Sequence, residues 1–338
     1  MKIYIMQKKW LLAIPVFLIG IYLLGPEPAT PLYKTEMPVV PADATQLELY
    51  IKNNEAQHKI KPDNEARIIW GSDSLRHKTQ YAIVYLHGFS ASQAEGDPIH
   101  KNIAKEFGCN LYLSRLADHG IDTIDALINL TADKYWESAK QALVIGKQLG
   151  KKVVLMGTST GATIALKLAA AYPNDVAALI MMSPNIAIND PNAWLVNDHW
   201  GLQMLRLVKK SDYITDKDDR PLNKQYWNWQ YRLEAAVALE EIVETTMNKE
   251  TFEKVKQPVE LLYFYKDELH QDSRVKVSAM LDMYNALGVA DSLKRKQAMP
   301  DAGSHVIGSY IQSHDVEGVQ KEIEKFMLGV LKMKEVKN

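Results

Sequence analysis

The sequence predicts an α/β fold: a mostly parallel central sheet with helices on both faces, a helical cap inserted late in the chain, and an N-terminal hydrophobic helix. Three observations predict it. Short apolar runs rich in β-branched residues alternate with longer helical patterns, the order expected of parallel βαβ units. One of the strand-to-helix junctions carries Gly157-Thr158-Ser159-Thr160-Gly161. The alternation then stops between Pro184 and Pro258, where strand signals give way to a stretch rich in tryptophan and tyrosine.

Taken in chain order, Lys2, Lys8 and Lys9 precede Trp10 to Gly25, sixteen residues without a charge. A basic flank before an apolar run is the layout of an export signal, although the run is shorter than the ~20 residues of a typical bilayer span. No convincing small-x-small cleavage site follows. Residues 1–25 are therefore read as a signal anchor or signal peptide, with a buried N-terminal helix as the alternative. The basic side would stay in the cytoplasm. The rest of the chain would be exported, either membrane-anchored and facing the periplasm or cell exterior, or secreted if the segment is cleaved. Pro26, Pro28, Pro31, Pro38 and Pro41 make residues 26–46 a proline-rich, extended linker outside the core. Residues 47–335 form the catalytic-type domain, with the cap at about 185–257.

Within that domain, Glu65–Trp70, Tyr81–Leu86, Asn110–Ser114, Lys152–Met156, Ala177–Met182, Val259–Tyr265 and Lys294–Ala298 read as strands. Thr131 is placed to cap a long helix ending at Leu149. Ala162–Tyr172 reads as a helix stopped by Pro173, and Gln320–Lys332 as a terminal helix. The chain's 338 residues, 47% hydrophobic, suffice for one large core plus an inserted cap. Forty basic against 41 acidic residues leave a net charge of -1, which argues against nucleic acid as a partner. A single cysteine, Cys109, excludes an internal disulfide and a cysteine-based zinc site.

The chemistry centres on Ser159. A turn between a buried strand and a helix lifts a serine hydroxyl off the sheet edge, and the two glycines are needed where side chains would strike the neighbouring strand and helix. A serine hydroxyl needs a base, normally a histidine oriented by a carboxylate. In this strand–turn–helix setting the chain order is Ser, then Asp or Glu, then His. Asp267, two residues past the strand Val259–Tyr265, takes the second place, with Glu268 and Asp272 as rivals. His305, in the small-residue loop Asp301-Ala302-Gly303-Ser304-His305, takes the third, with His270 and His314 as rivals. The oxyanion of acyl transfer needs preorganised donors. These are expected to be the backbone N–H groups of Thr160 and of Phe89, in the loop His87-Gly88-Phe89-Ser90 after the strand Tyr81–Leu86. His87 is read as structural. In the cap, Trp194, Trp200, Tyr213, Tyr226, Trp227, Trp229 and Tyr231 are read as a lid that lines an apolar substrate pocket, with ordinary core packing of a helical insertion as the alternative.

His87-Gly88-Phe89, Asp118-His119-Gly120, the Gly157–Gly161 turn, the Asp267 loop and the His305 loop occur in the order seen in α/β-hydrolases. From Tyr81 to Leu331 the chain resembles the carboxylesterase and monoacylglycerol-lipase-like serine hydrolases of that superfamily. The resemblance implies the α/β-hydrolase fold, a serine esterase triad, a cap inserted after the sixth strand, and no metal or organic cofactor. It departs from the pattern at Asp118, where many relatives have glycine, and at Thr158 and Thr160, where bulkier residues are frequent. The expected activity is hydrolysis of a carboxylic ester through Ser159, Asp267 and His305, with a small, apolar acyl compound as substrate and the membrane contacted through the N-terminal segment. Peptidase or amidase, thioesterase and acyltransferase activities use the same triad, and a non-catalytic, membrane-tethered binding protein is the alternative from a different class.

Overall fold

The computed structural model describes residues 2–72 and 75–336, with side chains from Ala13 onward. Helix α1 (Lys2–Leu23) leads into an irregular stretch and α2 (Ala44–Glu55). The sheet then begins with β1 (Arg67–Ile69) and β2 (Thr79–Leu86), followed by α3 (Ile99–Glu106), β3 (Asn110–Leu113) and α4 (Ala132–Leu149). Next come β4 (Gly150–Thr158), α5 (Thr160–Ala171) and β5 (Ala178–Met182). The cap holds α6 (Gly201–Lys209), β6 (Tyr213–Thr215), α7 (Pro221–Tyr226), β7 (Gln230–Arg232), α8 (Leu233–Thr246) and α9 (Lys249–Lys254). The chain returns to the sheet through β8 (Val259–Tyr263), α10 (Val277–Ala286) and β9 (Lys294–Ala298), and ends in α11 (Val316–Gly329).

The seven-stranded sheet runs β1-β3-β2-β4-β5-β8-β9. Only β1 is antiparallel to its neighbour. Its central strands read as unbroken apolar runs because helices cover both faces. In β2, Ala82, Val84 and Leu86 enter one core cluster and Ile83 and Tyr85 the other. The same alternation divides Val153 and Leu155 from Val154 and Met156 in β4. The edge strand β9 carries Lys294, Arg295, Lys296 and Gln297, polar residues suited to an unpaired edge. Thr131 caps α4 as expected, its hydroxyl accepting from the Lys134 N–H at 3.2 Å.

Four features differ from the sequence expectations. The cap contains an antiparallel pair, β6 with β7; at three residues each, these strands are too short to leave an alternating pattern. The cap follows the fifth strand of this sheet, not the sixth. The helices α2, α3 and α10 also appear where no helix was expected, each twelve residues or fewer.

The proline-rich stretch, fourth, is a strap and not a free linker. The buried Lys140 ammonium donates to the carbonyls of Lys34 and Glu36, and Trp136 Nε1 donates to that of Lys34. The N–H groups of Leu32 and Tyr33 bond Asp133, and Val40 enters the core. Proline fixed the extended conformation, but carbonyl groups met by buried donors on α4 fixed its position.

Among the described residues no helix is long and apolar enough to cross a membrane. The basic flank of the expected export segment falls on residues 1–12: Met1 and the side chains of Lys2, Lys8, Lys9 and Trp10 lie outside the described part.

Candidate active site

Ser159 ends the tight turn between β4 and α5, at the centre of the sheet and the carboxyl ends of its parallel strands, where such sheets place their sites. Its φ of 52° and ψ of -122° are strained for a residue with a Cβ, the conformation expected of an exposed elbow serine. The Ser159 N–H donates to the Met182 carbonyl at 3.0 Å, and its carbonyl accepts from the Asn185 N–H at 3.2 Å, so β5 and the chain after it hold the turn. The flanking glycines answer to close approach. A Cβ at Gly161 would lie 1.9 Å from the Leu86 carbonyl oxygen of β2, and one at Gly157 would lie 2.7 Å from the Ala162 nitrogen of α5. These are the neighbouring strand and helix the sequence anticipated.

His305 lies in the loop after β9 and lines the same cavity as Ser159. Its Nδ1–H donates to Asp272 Oδ2 at 2.6 Å. That bond fixes the tautomer and leaves Nε2 as the basic nitrogen. Burial opposes a charge on the imidazole, but Asp272, and Glu95 beyond it, outweigh burial and hold the histidine pKa above its usual value. Asp272 itself is buried. Burial pushes its carboxyl up, yet His305 and the N–H groups of Arg274 and Val275, at 2.8 and 3.1 Å, hold it below the ordinary carboxylate range.

Asp267, the acid expected from sequence, is not brought to His305. Its side chain is half exposed and closes its own turn, accepting from the Leu269 and His270 N–H groups and from His270 Nδ1 at 2.8 Å. The reason is a small excursion of the chain. Tyr265 and Gln271 pair across an antiparallel bridge, and the Asp272 N–H bonds the Phe264 carbonyl. Residues 266–270 form the projecting tip, and Asp272 re-enters beside the strand end. Counting residues from β8 placed the acid on the tip. A closer signal was available: Asp272 precedes Arg274 and Val275 at the spacing at which an aspartate caps the N–H groups that follow it.

The loop after β2 is held by its histidine. His87 Nε2 accepts from the Leu116 N–H at 3.0 Å, so Nδ1 carries the proton and donates to the Gly88 carbonyl at 2.9 Å. In a trans peptide the N–H points opposite to the carbonyl, so Phe89 N–H is turned away from His87. Phe89 and Thr160 both line the cavity with Ser159. Thr160 is the first residue of α5, where an N–H has no acceptor within the helix. His119 packs against His87 with ring centroids 4.9 Å apart and the planes tilted by 57°, and Asp118, at the departure from the glycine pattern, adopts a φ of 61° as glycine would.

The cavity is about 360 Å³. Its apolar wall includes Ile188, Val196, Leu205, Trp227, Tyr231 and Leu239, most of them from the cap. Of the seven cap aromatics expected there, only Trp227 and Tyr231 line it. Trp194 and Trp200 are exposed, while Tyr213 and Tyr226 bond Asp125 and Asp63.

A parallel sheet, an elbow serine and a buried aspartate–histidine pair together define a serine hydrolase of the α/β-hydrolase class. The family described as serine aminopeptidase, S33, matches residues 132–300, half of the chain, and the chain belongs to that family. Solved structures with the same fold include one of the metagenome-derived lipolytic enzymes LipS and LipT, at 16% identity and a TM-score of 0.63, covering 79% of this chain and 98% of that one. Another is the soluble variant of monoglyceride lipase from Saccharomyces cerevisiae, at 12% and 0.57, covering 78% and 90%. The monoacylglycerol lipase of Paleococcus ferrophilus is similar at 14% and 0.55, covering 78% and 97%. No curated protein matches the sequence.

Proposed function

We propose that the protein hydrolyses a carboxylic ester with an apolar acyl or alcohol part, through Ser159, His305 and Asp272. The observation that carries this reading is the buried Asp272–His305 bond opening on the cavity that holds the strained Ser159. In the first half-reaction the Ser159 hydroxyl gives its proton to His305 Nε2 as Oγ bonds the carbonyl carbon. The carbonyl electron pair moves onto oxygen, where the N–H groups of Phe89 and Thr160 receive it. The tetrahedral intermediate collapses, the bond to the alcohol oxygen breaks, and His305 returns the proton to that oxygen. Water then repeats the sequence on the acyl-enzyme and releases the acid.

A fluorophosphonate probe tests the nucleophile: labelling of the wild type and its loss in Ser159→Ala are expected. An unlabelled wild type would sink the reading. p-Nitrophenyl esters of increasing chain length test the substrate. Turnover of aminoacyl anilides with every ester untouched would replace the ester by an amide.

We also infer export, on the basic flank before the uncharged run. In support, Ile14, Val16, Phe17, Leu18 and Leu24 are exposed apolar side chains on and just beyond α1 that the catalytic domain does not cover. Cell fractionation with external protease checks it, and a cytoplasmic, protease-protected protein would refute it.

A further inference from the structure

Glu95 stands in the short 3₁₀ turn Gln93–Gly96, is buried, and lines the cavity with Ser159 and His305. Its Oε2 accepts from the Gly88 N–H. A Cβ added to Gly88 would meet Glu95 Oε1 at 2.8 Å, Oε2 at 2.9 Å and Ser159 Cβ at 3.0 Å, so the carboxyl and the serine flank the same glycine. The residue therefore touches the turn that presents Phe89 N–H and bears electrostatically on His305. Ordinary esterase chemistry, with one acid already on the histidine, leaves this second buried carboxyl without a role.

We propose that Glu95 is a positioning residue that acts through two others: its bond to the Gly88 N–H fixes the Gly88–Phe89 turn, and its carboxylate, added to that of Asp272, stabilises the imidazolium that His305 becomes when it takes the Ser159 proton. This rests on the reading of Ser159 and His305 as nucleophile and base. The Gly88 bond and the cavity that Glu95 shares with His305 set the geometry, and burial adds a pH dependence. Burial pushes the Glu95 carboxyl up to about 8, with the Gly88 N–H and His305 pulling it back. Below that pH the group is neutral and only holds the turn; above it, it is charged and also supports the imidazolium. The titratable groups facing Glu95 are His305, Tyr85 of β2 and Tyr135 of α4, and Asp97 bears in turn on Tyr85. Those facing His305 are Asp272, Glu95 and Arg274.

Glu95→Gln separates the two roles, since a glutamine keeps an acceptor for Gly88 N–H and loses only the charge. Two readouts are taken on the full chain. The first is the NMR titration of the His305 ring, assigned by its loss in His305→Asn, which needs no turnover. Glu95→Gln should lower the upper part of that titration by roughly one unit, a tenfold change in the protonation equilibrium. The second is the rate of fluorophosphonate labelling against pH. The wild type should rise in two steps, one set by His305 and one near pH 8. Glu95→Gln should keep the first and lose the second, and Glu95→Asp, which retains the charge, should keep both. Superimposable titrations and labelling profiles in wild type and Glu95→Gln would overturn the proposal. A wild type that titrates as expected but is never labelled would instead overturn the assignment of Ser159. Circular dichroism on each sample identifies a variant that has not folded, and in that case Glu95→Asp against wild type decides: loss of the second step with the charge retained would count against the proposal.

Discussion

Asp272 is buried against His305, whereas Asp267 has a half-exposed side chain bound to His270, and this difference decides which carboxylate orients the imidazole. Replacing Asp272 by Asn leaves the shape but permits the wrong tautomer of His305, so kcat should fall by roughly 10⁴-fold. Asp267→Asn should stay within about twofold of wild type, because exposed substitutions of this kind rarely matter by more than about 0.5 kcal/mol. Kinetics on one ester check both, and the reverse ranking would restore Asp267. The base must be neutral to act. Asp272 holds the His305 pKa above 6.5 against burial, so activity should be lost as pH falls through a midpoint above that value. Asp272→Asn removes the largest stabilising charge and should move that midpoint down. A kcat/KM profile in which it moves up, or does not move, contradicts the electrostatic account.

The elbow works as an element because β2, β4 and α5 approach so closely that no Cβ fits at Gly161. Gly161→Ala would drive a methyl group into the Leu86 carbonyl, which is backbone and cannot swing away. Forcing α5 off β2 should cost about 1–3 kcal/mol or more. Thermal melting should show the loss, and an unshifted midpoint would mean the close approach is not real. This part of the site was legible in the sequence because it is local. The apolar run Lys152–Met156, the Gly-x-Ser-x-Gly turn and the alanine-rich helix are contiguous, and each dictates the next. The acid was not legible in the same way. Whether position 267 or 272 faces His305 depends on the bridge between Tyr265 and Gln271, and no periodicity in the chain announces that bridge. The strap was misread for a related reason: proline content shows that residues 26–46 are extended, but only Lys140 and Trp136 on α4 show where they lie.

At the scale of the whole molecule the cap and the sheet meet over a cavity of about 360 Å³, and the cap supplies most of its apolar wall. Leu239 of α8 is part of that wall, so Leu239→Trp should fill space in the cavity that Ser159 also lines. The preference between long and short acyl esters should then shift toward short ones by roughly tenfold or more, the scale on which hydrophobic pockets discriminate. The ratio of kcat/KM across an ester series reads it. An unchanged ratio would mean that the acyl chain lies elsewhere.

The sequence by itself determined the fold class, the strand–turn–helix at Ser159, and the choice of His305 and of the loops at Phe89 and Thr160 that share its cavity, because these depend on contiguous patterns and on chain order. Tertiary structure alone decided that Asp272 and not Asp267 meets His305, that Glu95 shares the cavity, and that two of seven cap aromatics line it. Those facts depend on how distant segments return to one place. A carboxylate's burial and partners, which set its charge and its use, are properties of that return and not of its position in the chain.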